Sequence, residues 1–590
     1  MALALVLRAR KMARWLVLPA AGLATAVAAG CFTAGQGTQP PLDKFYFPTG
    51  LAVSPDGQYL YAINSDFDLQ WNGGTLQTYD LASIRRNAGT LVQANASHAQ
   101  KAPDFGKSKL GVALNVPFNK GCQYSAPQSL GNQLGVHVGA NCAPPVDSTQ
   151  YVLDRAIVGA FAEDLKIVEL PSADCPGCLR LLAPMAGNST VTWADVGSIT
   201  KPAYKISCGQ GADNRCDGAH QTGNDPNSPG NTRNLTMPGE PYGIGVSEDS
   251  TALAVTSETD TKASLLTTSS KYSCGSSSTC PTMQFVVENL PSGGIAMNAV
   301  PHDKNAVLRC EDVSDKEYCI RPAFLETFVG AAEVDLLRYY DDDNSGTFRP
   351  FLVRERAVSI PTNIGSDFRG FAIDPTPRYR CEASATTQDQ RLQCGRLSAR
   401  VFLASRTPPS IVYADLGIYA GPQYDPDALV FLGNIPLPAG PSKVYLAPVI
   451  IQDTAGAHYE PRIFVTLFDT GAIVIINPEL QPPAVENYVF VGQNPYSMTF
   501  DPWGDLAVAA KNADAPSMAD VATHKPVPRL SAGGTNRYRF AYVGIFTQSY
   551  VQMIDLDDSA FTGTFEQVVF NLGQPTIPKG QANNNNGSFL

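Results

Sequence analysis

One short acidic segment has the residue types and the spacing of a calcium ligand set. Asp341, Asp343 and Ser345 occupy alternate positions just before a glycine, and Ca²⁺ takes oxygen ligands of this kind from tight turns. An EF-hand would also need a bidentate glutamate at the twelfth loop position, where this chain has Leu352, and no helical pattern flanks the segment. Two interpretations therefore stay open, a loop-type Ca²⁺ site and a solvated acidic turn.

The histidines show no local metal-binding pattern. No two of them lie within four residues of each other, and HExxH is absent, so the local spacing does not support a zinc hydrolase. The chain also lacks the GxSxG, Walker and dinucleotide-binding motifs. The sequence predicts neither a nucleotide cofactor nor haem. The histidines are His98, His137, His220, His302, His458 and His524.

Twelve of the 13 cysteines fall into successive pairs once Cys31 is set aside. The separations within the pairs run from 3 to 20 residues, whereas at least 30 residues separate one pair from the next. The simplest connectivity is six nearest-neighbour disulfides, each of which fixes a local loop or hairpin in an oxidising compartment. The predicted pairs are Cys122 with Cys142, Cys175 with Cys178, Cys208 with Cys216, Cys274 with Cys280, Cys310 with Cys319, and Cys381 with Cys394.

Cys175 and Cys178 have the CxxC spacing of a redox motif. A redox cysteine of this type needs a helix N-terminus to lower its pKa, but the flanking residues here have the composition of two strands around a turn. We therefore interpret the pair as a structural turn disulfide. No histidine follows Cys178, which excludes attachment of a c-type haem at this site.

The first 30 residues have the pattern of a signal peptide. Basic residues from Arg8 to Arg14 precede an almost entirely apolar stretch from Trp15 to Ala29, which ends in small residues. The apolar stretch is short for a membrane span, which needs about 20 residues. Met1 and Met12 both stay open as the start of the chain.

The small residues before Cys31 resemble a bacterial lipobox, although Ala28 stands where such sites usually carry leucine. Removing Cys31 by acylation leaves an even number of cysteines, whereas cleavage after Ala26 or Ala28 would leave a free thiol. We expect a lipoprotein with an acyl anchor such as palmitate at Cys31 and a flexible tether over residues 31–43. Phe32 follows the cysteine, and by resemblance to enterobacterial sorting rules this favours the outer membrane, on its periplasmic or surface face.

The charge of the predicted mature chain limits its partners. Without residues 1–30, the chain has 39 basic residues (Lys and Arg) and 54 acidic residues (Asp and Glu). An acidic chain of this kind has no electrostatic footprint for nucleic acid and is repelled by anionic lipid. Any membrane contact is therefore expected to run through the acyl anchor alone.

A unit of strand, turn and strand recurs along the chain. Residues 47–57 lead through an Asp-Gly turn into 59–65, and a third strand follows at 74–81. Copies of the first half are predicted to pair with the strand that follows each of them. These copies are 241–249 with 252–257, 368–375 with 400–405, and 494–504 with 506–510. Copies of the second half are 401–416, 463–478 and 540–556.

Residues 47–81 resemble one blade of the YVTN and lactonase-type β-propellers, which are related in shape to WD40 propellers. The resemblance implies an all-β fold with seven blades, starting near residues 49, 157, 241, 292, 369, 442 and 495, over one domain at 44–578. The cysteines would lie in disulfide-pinned loop insertions. The ring is expected to close by pairing strands from the two ends of the chain, and residues 579–590 are predicted to be a disordered tail.

Propeller lactonases and phytases line the central channel with carboxylates, arginine and histidine. The resemblance places four residues of this chain at equivalent positions of their blades. There they could line the channel or serve as turn and strand-end residues. We predict none of them to be catalytic. They are Arg369, Asp374, Lys443 and Asp501.

Two functions are consistent with these patterns. The sequence favours a non-catalytic binding or scaffold protein of the cell envelope, with a protein or glycan partner. The alternative is a lactonase-like hydrolase that acts on a small substrate in the central channel. It requires titratable groups or a metal on the channel axis, and an axis lined only by apolar side chains would count against it.

Overall fold

The computed structural model describes thirteen segments of the chain. They are residues 38–96, 145–170, 175, 177–228, 231, 233–268, 280–301, 321–340, 349–420, 423–512, 514–527, 539–560 and 565–573. Cys31, Asp341, Asp343 and Ser345 lie outside them, and so do Cys122, Cys142, Cys274, Cys310 and Cys319.

Seven mainly antiparallel sheets form a ring, as predicted, and one strand of each sheet is innermost and lines the central axis. Blade 1 consists of β1 (Pro48–Val53), β2 (Tyr59–Asn64), β3 (Thr75–Asp80) and β5 (Val152–Ile157). Blade 2 consists of β6 (Lys166–Glu169), β7 (Cys178–Met185), β8 (Thr190–Ser198), β9 (Lys201–Ser207) and β10 (Gln221–Thr222). Blade 3 consists of β11 (Pro241–Val246), β12 (Ala252–Ser257), β13 (Lys262–Thr267) and β14 (Thr282–Glu288).

The remaining four blades each contain four consecutive strands, and blade 7 adds the short β4 at its outer edge. Blade 4 consists of β15 (Gly294–Ala299), β16 (Ala323–Phe328), β17 (Glu333–Tyr340) and β18 (Phe351–Ser359). Blade 5 consists of β19 (Ser366–Asp374), β20 (Ala399–Thr407), β21 (Pro409–Ala420) and β22 (Gln423–Pro436). Blade 6 consists of β23 (Pro441–Asp453), β24 (Gly456–Leu467), β25 (Ala472–Asn477) and β26 (Ala484–Phe490). Blade 7 consists of β27 (Pro495–Phe500), β28 (Phe540–Ile545), β29 (Tyr550–Asp555), β30 (Val568–Leu572) and the short β4 (Pro145–Val146).

The described helices are short and lie in connections between strands. The α-helices are α1 (Leu81–Ala96), α2 (Thr376–Ser384), α3 (Gln388–Gly395), α4 (Asp505–Ala509) and α5 (Met518–Ala522). The 3₁₀ turns are Ser148–Tyr151, Ala186–Asn188, Gly218–His220 and Asp558–Ala560. In the described segments, no helix combines the length and apolar character needed to cross a membrane.

The hydrophobic core lies between the faces of neighbouring blades. Leu60 and Tyr79 of blade 1 are fully buried against Tyr542 and Met553 of blade 7, so the first and last blades pack together like any other pair. The ring therefore closes chiefly by apolar packing, and the expectation of closure by strands from the two chain ends is wrong for the described residues. The one shared sheet contact is a parallel pairing of β4, from the first blade's connection, with β30.

Two predicted strand positions are wrong. The innermost strand of blade 2 starts at Lys166 instead of near residue 157, because residues up to Ile157 form the outer strand β5 of blade 1. Residues 506–510 belong to the end of helix α4 instead of a strand, and β27 pairs with β28. The apolar run Leu506 to Ala510 is too short for its periodicity to separate a strand from a helical turn.

Three of the six predicted disulfides join described cysteines, and all three fix local structure as expected. Cys175–Cys178 closes the connection between β6 and β7, and Cys208–Cys216 closes the loop after β9. Cys381–Cys394 joins α2 to α3 in the insertion between β19 and β20. Cys280 is also disulfide-bonded.

Candidate functional site in the central channel

Six of the seven innermost strands carry a β-bulge near their first residue. The register with the second strand shifts once in β1, β11, β15, β19, β23 and β27. In β11, β19 and β27 the residue within the shift is Tyr242, Arg369 and Tyr496, respectively. A bulge changes the direction of a side chain. The recurring bulges therefore bring large polar residues to one end of the channel.

The channel contains a cavity of about 590 Å³ that is lined by residues of all seven innermost strands. Most of the lining is aliphatic or aromatic, for example Leu51, Ile244 and Phe371. Lys166, the first residue of β6, and Asp164, two positions before it, add charged groups to this lining. A mostly apolar cleft of this size with a few converging polar groups is the usual form of a small-molecule site.

Two lysines flank the carboxylate of Asp164. The Nζ atom of Lys166 lies 3.3 Å from Asp164 Oδ2, and the Nζ atom of Lys443 lies 4.0 Å from Asp164 Oδ1. Lys443 also donates to the main-chain oxygen of Glu163 at 3.1 Å and lies 4.3 Å from the ring centroid of Tyr496. One carboxylate and two ammonium groups from blades 2 and 6 therefore converge on the axis.

A chain of hydroxyl groups continues from this cluster toward the bulged ends of the strands. The Tyr496 hydroxyl donates to Glu163 Oε2 at 2.8 Å and is hydrogen-bonded to the hydroxyl of Tyr242. The three residues come from blades 2, 3 and 7, so the contact closes the channel across its width. It also holds the ring of Tyr496 against Lys443.

Burial and charge have opposite effects on the two carboxyl groups. Burial raises the pKa of Glu163 to about 8, against the lowering effects of the Tyr496 hydrogen bond and of Lys443, so this carboxyl is protonated at neutral pH. Burial also acts to raise the pKa of Asp164, but Lys166 and Lys443 outweigh it and the net pKa is lowered. Burial lowers the pKa of Lys443. The site thus combines an ionised carboxylate with a protonated one.

Aromatic rings border the same end of the channel. The ring of Phe546 stacks on Tyr496 at 5.4 Å and contacts Phe67 at 5.2 Å, and Phe67 meets Phe161 at 6.0 Å. Phe67 is 41% exposed. Phe67 therefore leaves apolar ring surface exposed at this end of the channel, whereas none of the three phenylalanine rings lines the two channel cavities.

The four residues that the resemblance placed in equivalent blade phases divide into two groups. Lys443 lies in the charged cluster, and Arg369 lines the narrower part of the channel while its Nε donates to Asp367 Oδ1 at 2.7 Å. Asp374 accepts from the main chain of Thr376 at 2.9 Å at the end of its strand.

Asp501 has a structural role away from the axis. It accepts hydrogen bonds from Arg85 at 2.8 Å, from the Tyr542 hydroxyl at 2.7 Å and from the main-chain nitrogen of Phe540 at 2.9 Å. These contacts tie blade 7 to helix α1 of blade 1. The strand-end interpretation therefore holds for Asp374 and Asp501, and the channel interpretation holds for Lys443 and Arg369.

Sequence reasoning missed the carboxylates of the site. Glu163 and Asp164 precede β6, the innermost strand of blade 2. Because the sequence predicted that this blade starts near residue 157, neither carboxylate was expected to lie at the channel axis. A usable signal did exist in β11 and β27, because Tyr242 and Tyr496 both follow the proline that begins the repeated strand.

The predicted Ca²⁺ ligands Asp341, Asp343 and Ser345 and the predicted lipidation site Cys31 stay predictions. Within the described segments, the group that could hold a metal ion is His458, Glu460 and His524, which lies in neither channel cavity.

No family model and no curated protein sequence matches the chain. Solved structures that are similar to it include a periplasmic gluconolactonase of Pseudomonas aeruginosa, with 14% identity and a TM-score of 0.38 over 76% of this chain and 94% of that chain. Kuenenia stuttgartiensis hydrazine synthase has 10% identity and a TM-score of 0.38 over 89% and 99% of the two chains. Saccharomyces cerevisiae Sqt1 has 8% identity and a TM-score of 0.36 over 87% and 96%. Each similarity is too weak to assign an activity to this chain.

Proposed function

We propose that this propeller is a hydrolase that opens a small cyclic ester in its central channel. The observation that carries the proposal is the ionised carboxylate of Asp164, which lies with Lys166 on the wall of a 590 Å³ cavity and is paired with Lys443 in the adjoining narrower part of the channel. This volume is within the range of small-molecule sites.

The chemistry follows from the charges of the three groups. A water molecule attacks the ester carbonyl carbon, and Asp164 accepts the proton that the water loses. The ammonium groups of Lys166 and Lys443 stabilise the negative charge that develops on the carbonyl oxygen. The ring C–O bond then breaks, and the leaving alkoxide takes the proton from Asp164, which returns the carboxylate to its ionised state. The product is an open-chain hydroxy acid.

Glu163, Tyr496 and Tyr242 act as positioning residues in this scheme. Their hydrogen bonds fix the ring of Tyr496 under Lys443 and fix the main chain of Glu163 that accepts from the lysine. Because Glu163 is protonated at neutral pH, it adds no second negative charge that would compete with Asp164 for the lysines.

The test is a turnover screen of the purified full-length protein against a panel of sugar lactones, aliphatic lactones and open-chain esters. We expect turnover of at least one lactone, and we expect Asp164→Asn to lower kcat/KM by about 10²–10⁴-fold, because the amide cannot accept the proton. The matched control is Glu169→Gln, another carboxyl-to-amide change at the end of strand β6, at a residue that does not line the cavity.

Two outcomes would contradict the proposal. One is a wild-type protein that turns over no lactone or ester in the panel. The other is an Asp164→Asn variant that is as active as Glu169→Gln.

The envelope scaffold with a protein or glycan partner, the acyl anchor and the outer-membrane location stay predictions. Crosslinking in cells tests the scaffold.

A further inference from the structure

Two histidines and a glutamate that are remote in sequence meet outside the channel, between blades 6 and 7. His458 and Glu460 project from the same face of β24, since alternate residues of a strand share a face. His524 follows helix α5 in the connection between β27 and β28. One ligand atom from each of the three side chains lies within 4.8 Å of the other two.

The main chain holds this arrangement in place. Residues 525–527 run alongside β24, where the nitrogen of Val527 donates to Ala457 at 2.8 Å and the nitrogen of Tyr459 donates to Lys525 at 3.2 Å. Pro526 forms a β-bridge with His458. The rings of His458 and His524 are therefore fixed side by side, with centroids 5.7 Å apart.

Hydrogen bonds behind two of the side chains orient them as ligands. The Nδ1 atom of His458 is 3.2 Å from the main-chain oxygen of Gly456, a contact that needs a proton on Nδ1 and leaves the lone pair of the neutral ring on Nε2. That Nε2 atom is 2.9 Å from Glu460 Oε1, while Arg462 binds the other oxygen, Oε2, at 2.7 Å. Metal-binding histidines and carboxylates usually have partners of this kind on their remaining polar atoms.

A fourth residue with donor atoms, Glu479, lies next to His524. The two carboxylate oxygens of Glu479 are 2.9 Å and 2.8 Å from His524 Nε2, and Arg380 is ion-paired with the same carboxylate. Arg380 also donates to the main-chain oxygen of Ala522 at 2.8 Å, which ties Glu479 to helix α5. Arg380 and Arg462 are the cations that contact the two carboxylates of the cluster, and Asp453 lies 3.8 Å from His458.

We propose that His458, Glu460 and His524 bind one Zn²⁺ ion, with Glu479 or water in the fourth position. Imidazole and carboxylate donors suit zinc, which is usually four-coordinate with ligand distances of about 2.0–2.2 Å. Ligand atoms on such an ion are about 3.3 Å apart, so the present separations need shifts of about 1 Å or less. The ion would fasten the 514–527 segment of blade 7 to β24 of blade 6.

The alternative explanation of the cluster is an ion pair in which His458 is doubly protonated and bound to Glu460 without a metal. Zinc titration of the metal-free full-length protein by calorimetry separates the two explanations. We expect one strong site per chain with a Kd of about 1 µM or lower. We expect His458→Ala and His524→Ala each to weaken it by at least about 10-fold to 100-fold. His220→Ala is the control, because His220 is paired with Asp217 in blade 2 and lies far from the cluster.

A second measurement does not depend on how well the variants fold. Co²⁺ substituted into the wild-type protein should give the intense visible absorption of a tetrahedral site with nitrogen ligands, and Zn²⁺ should displace it. The proposal is overturned if the wild-type protein binds no stoichiometric zinc. It is also overturned if the two histidine variants bind zinc as tightly as His220→Ala, or if Co²⁺ gives only the weak spectrum of an octahedral ion.

Discussion

Single buried ionisable residues carry both the proposed chemistry and the pH response of this protein. Asp164 and Glu163 are neighbours in sequence, yet their pKa values move in opposite directions. Lys166 and Lys443 together outweigh the effect of burial on Asp164, whereas burial outweighs the effects of Tyr496 and Lys443 on Glu163. Glu326 in β16 shows the effect of burial and of the nearby Asp335, which Arg354 opposes without reversing. It is fully buried, and neither carboxylate oxygen has a hydrogen-bond partner among the described residues. Burial raises its pKa well above the usual 4.5.

The raised pKa of Glu326 makes stability depend on pH. Folding takes up a proton here at any pH between the unfolded and the native pKa, so the stabilisation is complete below about 4.5 and is lost as the pH rises toward the native pKa. Glu326→Gln cannot ionise and should remove this dependence. Above about pH 5 and below the native pKa, we expect the wild type to lose about 1 kcal/mol of unfolding free energy per pH unit relative to the variant.

Chemical denaturation of both proteins across that pH range measures the difference. Comparison with the variant cancels the contributions of buried carboxyls that do not interact with Glu326. Asp335, whose charge acts on Glu326, is the exception. Glu169→Gln is the control and should stay parallel to the wild type. Parallel curves for Glu326→Gln and the wild type would show that the native carboxyl titrates normally.

At the scale of elements, the innermost strands position the site because they approach one another closely at the axis. A Cβ atom on Gly243 of β11 would lie 2.7 Å from the main-chain oxygen of Ile295 in the next blade. A Cβ atom on Gly370 of β19 would lie 2.6 Å from the main-chain oxygen of Ser442. Glycine in these strands therefore allows a close backbone approach, which sets the channel width beside Tyr242 and Arg369.

We expect Gly243→Ala to lower the free energy of unfolding by about 1–3 kcal/mol, because the methyl group meets main-chain atoms that cannot rotate away. Gly218→Ala is the matched control, since nothing lies within 4 Å of its added Cβ, and it should change stability by less than about 0.5 kcal/mol. Urea denaturation compares the two variants. Equal stabilities would mean that neighbouring blades can move apart at no cost.

The sequence predicted some of these elements well and others poorly. The seven blades follow from repeated strand–turn–strand units, whose alternation and turn residues are local signals. Blade 2 lacks the entry bulge among its described residues and follows a long insertion, so its innermost strand was misplaced and Asp164 was overlooked. His458 and His524 come together only through the pairing of residues 525–527 with β24, and no local spacing rule contains that contact.

At the scale of the whole molecule, the ring makes one enclosed site from residues that are far apart in the chain. Glu163, Tyr242 and Tyr496 come from three blades, and Lys443 comes from a fourth. Each blade is formed mainly by consecutive strands, and apolar packing between the first and last blades completes the ring. The channel exists only when this ring is closed, so any activity in the channel is a property of the complete propeller.

The central claim is that a small substrate binds in the channel beside Asp164 and Lys443. The most direct test is a crystal structure of the full-length Asp164→Asn variant, soaked with the best lactone that the wild-type protein turns over. We predict density for the intact lactone in the channel, with its carbonyl oxygen within hydrogen-bonding distance of Lys443 Nζ or Lys166 Nζ. An empty channel under saturating lactone, or lactone bound only on the outer face of a blade, would contradict the account.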